Sequence, residues 1–217
     1  PVLIDNINDW LIFKKLATKK LGNEVHEVLD QFLPIDKSSS FDNPNVKFGA
    51  GKLNFIEQFR LQTLDKSIVT KEIFLICDKD ELPENQIRED LSVQIHNDFK
   101  EVKKFNSNRT STHLLSWKRR EIENYFLSPT LIDRRECEAS IRDKYNMPDF
   151  IEGQNLDSIS DIRNGEYKAI LRPLYNEEGF GFKEEMVDDL ISIIPAEEIS
   201  ADIEKMYNYL RGIITNE

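Results

Sequence analysis

The chain is poor in the residues that build disulfide scaffolds and zinc clusters. Two cysteines, Cys77 and Cys137, and three histidines, His26, His96 and His113, stand too far apart for the usual zinc-ligand spacing. With only 8 Gly and 8 Pro in 217 residues, collagen-like and low-complexity character is excluded. No apolar run approaches the length that spans a bilayer, so no membrane partner is expected. Positive charge is scarce as well: 29 Lys and Arg face 40 Asp and Glu, for a formal charge of -11 and an isoelectric point near 4.9. Such a surface repels polyanions on average, so a polyanionic substrate has to be held by local basic patches or by metal ions. Cys77 in an apolar run and Cys137 among charges read as reduced thiols of a cytoplasmic protein. The chain opens on Pro1 and the apolar Val2-Leu3-Ile4, without an initiator Met or a signal pattern, and reads as a domain cut from a longer polypeptide.

What is present is a well-solvated globular chain, long enough to bury a core. Val2 to Ile4 predicts a strand, and Trp10, Phe13, Leu16 and Leu21 repeat at helical spacing behind it. Gln31 to Ile35 reads as a second short strand, and a Gly49-Ala50-Gly51-Lys52 turn leads into a helical pattern from Asn54 to Leu64. That turn lacks Walker spacing and the following Ser or Thr, so it is not a nucleotide P-loop. The clearest strand is Glu72 to Cys77, unbroken by polar residues from Ile73 to Ile76, as where helices cover both faces of a parallel strand. Ile87, Leu91 and Ile95 predict a helix from Glu84, and His113 to Trp117 another strand. Pro129 is placed to open a helix carrying Leu131, Cys137 and Ile141; the chain is then irregular from Met147 to Gly165, and helical again over 183–194 and 201–214. The expectation is an α/β fold, a parallel sheet flanked by helices over residues 1–128, with a helical part, residues 129–217, packed on it or appended to it.

Ligands of open parallel sheets collect at the carboxyl ends of the strands. Carboxylates fall at those places: Asp5 after the first strand and Asp9 four residues later, Asp78 and Asp80 after the best strand, Glu121 and Glu123 after the His113 strand. Gathered at one edge they would need hard cations, and an all-oxygen donor set suits magnesium or manganese in a two-metal phosphoryl-transfer site. Each group also has a plainer reading. Asp5 and Asp9 suit a helix N-terminus as caps, and Glu121 and Glu123 beside Lys118, Arg119 and Arg120 could form a solvated salt-bridged surface.

Val2-Leu3-Ile4-Asp5-Asn6-Ile7-Asn8-Asp9, Ile73-Phe74-Leu75-Ile76-Cys77-Asp78-Lys79-Asp80-Glu81 and Arg120-Glu121-Ile122-Glu123-Asn124-Tyr125-Phe126-Leu127, taken together, resemble the Toprim domain that ends the overcoming-lysogenization-defect (OLD) family of ATPase-nucleases. The resemblance implies a Rossmann-like Toprim fold and a magnesium- or manganese-dependent DNA endonuclease using two ions. It also implies ATP only through an ATPase domain elsewhere in the polypeptide or in a partner, a homo-oligomeric whole, and defence against phage or other foreign DNA. By that resemblance Asp78 and Asp80 would hold one metal with Asp5, and Asp9 and Glu123 the other. Glu121 would support or substitute for a ligand, Lys168 would stabilise charge on the phosphate, and Lys118, Arg119 and Arg120 would contact the DNA backbone. The family has Glu-Gly at the end of its first strand where this chain has Asp5-Asn6. The carboxylate is therefore one methylene shorter, which motivates a second reading: a degenerate Toprim domain serving an ATPase as a dimerisation or regulatory module. A receiver-like signalling domain also places carboxylates at strand ends, but its phosphoacceptor faces an acidic pair on the first strand, which this sequence does not show.

Overall fold

The computed structural model describes residues 1–36, 71–79, 82, 84–93, 111–134, 153–165 and 184–215. Within them four strands, β1 (Val2–Ile4), β2 (Pro34–Asp36), β3 (Glu72–Cys77) and β4 (Ser111–Ser116), form one sheet in the order β2-β1-β3-β4, every pair parallel. Helices flank it, an arrangement compatible with a Rossmann-like fold. Side chains alternate between the two faces of each strand. Val2, Ile4, Phe74, Ile76 and Leu115 join the large core, and Leu3, Ile73, Leu75, Cys77 and Leu114 form a smaller cluster with Val93. This is why β1 and β3 carry no polar residue at their centres.

Helix α1 (Ile7–Leu21) buries Trp10, Ile12, Phe13, Leu16 and Ala17. It starts in a capping box: the Asn6 side chain accepts the Asn8 N–H at 2.9 Å, and Asp9 Oδ2 accepts the Asn6 N–H at 3.0 Å. It ends at Gly22, whose φ of 98° lies where an L side chain is strained. A short helix α2 (Val25–Leu29) follows. In the C-terminal part, α3 (Pro129–Arg134) opens on its proline, with Ser128 Oγ accepting the Leu131 N–H at 3.0 Å. The remaining helices are α4 (Ser160–Asn164), α5 (Glu184–Ile193) and α6 (Ala201–Thr215). Val187, Leu190 and Ile191 of α5 and Ile203, Met206 and Leu210 of α6 belong to the same apolar cluster as Phe13 and Leu16, so α5 and α6 pack on α1.

The structure corrects several expectations. The segment from Glu84 is a single 3-10 turn, Glu84–Gln86, followed by a hairpin, not a helix. Ile87 bridges Val93, the Arg88 N–H donates to Ser92 O at 2.9 Å, and Leu91 takes a left-handed φ of 67°. This is a tight turn closed by a left-handed residue. Ile87, Leu91 and Val93 are all buried because the chain reverses between them, a pattern that imitates helical spacing at its first two positions. The hairpin's second arm docks antiparallel beside β4, where Ser92 bridges Leu115, and covers that edge. The second strand starts at Pro34 rather than Gln31, and the stretch expected to be irregular contains α4. The predicted helix over 54–64, the Gly49 to Lys52 turn, and Cys137 and Ile141 lie outside the described residues.

Candidate functional site

The chain leaves β1 toward β2 on one side and re-enters at β3 on the other. The crevice between β1 and β3 is therefore the topological switch point, where open parallel sheets bind ligands beyond the strand ends. Register pairs Leu3 with Leu75 and Cys77 with Ser116, so the residues following β1, β3 and β4 leave the sheet at one edge. Asp5 and Asp78 flank the crevice and are tied across it: Asp5 Oδ2 accepts the Asp78 N–H at 3.3 Å. Both are half-buried. Asp9 is buried and is the acid of the capping box, so one of its oxygens serves the start of α1.

After β4 the chain stays at this edge. The Lys79 N–H donates to Arg120 O at 2.9 Å, and residues Ile122–Phe126 wind into a 3-10 helix carrying Glu123. Glu123 is buried and Glu121 half-buried, so the segment is not the solvated salt-bridged surface its charges also allow. Arg119 explains why, and corrects its expected role on a DNA backbone. Its side chain is 1% exposed. One guanidinium nitrogen donates to Asn124 O at 2.7 Å and to Leu127 O at 3.5 Å, and the other to Asp157 Oδ1 at 3.1 Å. The guanidinium also lies 4.8 Å from the centre of the Tyr125 ring. A cation so enclosed positions the turn that bears Glu123; it does not reach a solvated phosphate. Lys118 differs: although its side chain is largely buried, its ammonium lies 3.1 Å from the carboxylate of the exposed Glu89, and Arg120 is half-buried. Asp80 and Lys168 lie outside the described residues.

The surroundings of Arg119 are strongly polarised. Burial pushes the Asp157 carboxyl up, but the guanidinium, the Ser200 hydroxyl and the Ala201 N–H outweigh it and hold it below its usual range. Burial, and then repulsion from Asp157, raise Asp202, which accepts the Tyr125 hydroxyl at 3.1 Å. Burial also raises the Tyr125 phenol well above its ordinary value. Arg119, Tyr125 and Asp202 are buried in this network, and Asp157 is half-buried at its margin.

Sequence reasoning passed over Lys79, which sits between the two aspartates of its own motif. It is 3% exposed, and its ammonium donates to Asn164 Oδ1 at the end of α4. Asn124 Nδ2 donates to Gly165 O at 3.2 Å beside it. The Asp78 turn and the Glu123 turn are thus both fastened to the 153–165 segment. Burial sets Lys79 and Lys118 apart from the other described lysines, and that is not visible in composition.

The donors at this edge are carboxylate oxygens, the chemistry that suits magnesium or manganese. Among the described residues no three His, Cys, Asp or Glu side chains gather as a metal group. The described part of the edge therefore offers Asp5 and Asp78 on either side of the crevice. Among the same residues no helix is long and apolar enough to cross a membrane. No family model, curated protein or solved structure matches the chain.

Proposed function

We propose that this chain is a metal-dependent nuclease domain of the Toprim type found in OLD-family ATPase-nucleases, hydrolysing DNA phosphodiesters. One observation carries the reading: Asp5 and Asp78 meet across the β1–β3 switch point, with the Glu121 to Glu123 turn brought to the same edge. In this reading Asp5, Asp78 and Asp80 hold one magnesium or manganese ion, and Asp9 with Glu123 a second. When bound, such ions activate a water and neutralise charge developing on the phosphate. The chain's own groups do the positioning: the Asp5 carboxylate anchors the backbone at Asp78, Arg119 fixes the turn of Glu123, and Lys79 braces the Asp78 turn against Asn164. ATP enters only through an ATPase domain beyond this chain, and the working form is a homo-oligomer in the cytoplasm, acting against foreign DNA.

The capping box favours one competing reading. Asn6 and Asp9, where the family would have its glycine and its second acid, are engaged with each other at the start of α1. A domain that has turned these positions to structural use fits a degenerate Toprim module serving an ATPase. Plasmid cleavage by the longest form of the protein, in manganese and then magnesium, decides between the two. The nuclease reading expects cleavage that falls by about a hundredfold or more in Asp78→Asn and Asp80→Ala, with Asp5→Glu as fast or faster. Silence in the natural protein with activity in Asp5→Glu marks the degenerate form, and cleavage that survives Asp80→Ala sinks the site assignment.

A further inference from the structure

The 87–93 hairpin does more than cover an edge. Its second arm runs antiparallel to β4, with the Val93 N–H donating to Leu114 O and the Ser116 N–H to Leu91 O. Moving from Val93 back to Glu89 therefore moves toward the carboxyl end of β4, and the tip reaches the edge where Asp5 and Asp78 stand. There Glu89 Oε1 lies 3.1 Å from Lys118 Nζ, two residues past β4, and Glu89 Oε2 lies 3.1 Å from Lys205 Nζ, in the second turn of α6. The three side chains differ sharply in exposure. Lys118 is 5% exposed, Lys205 36% and Glu89 87%. Lys118 is enclosed by the body of the protein and Lys205 stands partly exposed on α6, while the carboxylate between them hangs from a turn in solvent. Among the described residues Asp202 Oδ1 also lies near this pair, 3.8 Å from Lys205.

We propose that Lys118 and Lys205 form a binding site for a nucleic-acid backbone phosphate, and that Glu89 occupies it until the phosphate takes its place. Two lysines from separate elements converging on one pair of oxygens reproduce the geometry a phosphate needs, and lysine binds phosphate as a point charge. An exposed carboxylate in such a pair contributes little to stability, so displacing it costs little. The two lysines also hold the Glu89 carboxyl below its ordinary range, so it stays ionised and continues to compete. The site answers the problem posed by the chain's net charge of -11: it offers a local cationic point whose own acidic plug excludes weak anions. The choice of nucleic acid as the anion rests on the nuclease reading; the lysine pair and its plug do not.

Binding is measured by fluorescence anisotropy with a short labelled DNA duplex in EDTA at low salt, where cleavage cannot contribute. Glu89→Gln is expected to bind about three- to tenfold tighter than the natural chain. Asp30→Asn, which removes the same charge from the Lys14 pair, is expected to change affinity by less than about twofold. Lys205→Gln added to Glu89→Gln is expected to abolish the gain, and because Lys205 is partly exposed this variant tests the pair without disturbing the enclosed Lys118. Inorganic phosphate is titrated in parallel. The proposal is overturned if Glu89→Gln binds no tighter than Asp30→Asn, if the gain survives Lys205→Gln, or if Glu89→Gln gains affinity for inorganic phosphate alone. Tighter duplex binding in Glu89→Gln from a protein that cuts nothing under any metal leaves the site standing and removes the nuclease reading.

Discussion

Asp157 and Asp202 lie around one buried arginine and titrate in opposite directions. Asp157, held below its usual range, adds stability that is present above its unfolded value of 3.8 and is lost as pH falls through its folded value. Asp202, raised above 3.8, does the reverse: the folded state holds its proton more tightly, so its contribution is greatest below 3.8 and is lost as pH climbs through the raised value. Asp202→Asn keeps an oxygen to accept the Tyr125 hydroxyl and removes the charge. Its melting temperature relative to the natural protein should rise as pH climbs above about 4; a difference that stays flat with pH across thermal melts would mean Asp202 does not titrate there. None of this network was visible in the sequence, because Arg119 meets Asp157 at a separation of 38 residues and Tyr125 meets Asp202 at 77. Asp5 and Asp78, by contrast, were legible because a strand end is a local feature and the topology of parallel sheets does the rest.

At the level of elements, the sequence was informative where one period ran long enough to be unambiguous. The helices α1, α5 and α6 and the strand β3 fall within a residue or two of their expected bounds, since each buries one regular face or, for β3, both. The hairpin at 87–93 carries a helix-like pattern because two buried residues four apart suit a helix face and a reversed chain equally well. Leu91 sets its shape. Glycine there would relieve the left-handed backbone but would empty a fully buried position, and the second effect is larger. Leu91→Gly should therefore lose about 1–3 kcal/mol in urea unfolding; a gain in stability would show that the backbone strain outweighs the packing.

For the whole molecule, the helical part expected after residue 128 shares one apolar cluster with the sheet part. Val187, Leu190 and Ile191 of α5 and Ile203, Met206, Tyr207 and Leu210 of α6 close the cluster around Phe13 and Leu16, and Lys20 of α1 donates to Ile199 O at 2.9 Å. At about 1.5–3 kcal/mol for each buried side chain, their loss is comparable to the entire stability of an ordinary domain. A chain ending at Ser128 should show no cooperative thermal transition by circular dichroism, and a sharp melt would identify residues 1–128 as an independent unit.

The hydrogen bond from Asp78 to Asp5 joins residues 73 positions apart. Parallel neighbours so distant pair only after a long loop has closed, and chains dominated by such contacts fold slowly because the closure entropy comes before any reward. The crevice between β1 and β3 therefore takes shape only once that loop has closed, and a molecule bound across it would hold the closed loop like a clasp.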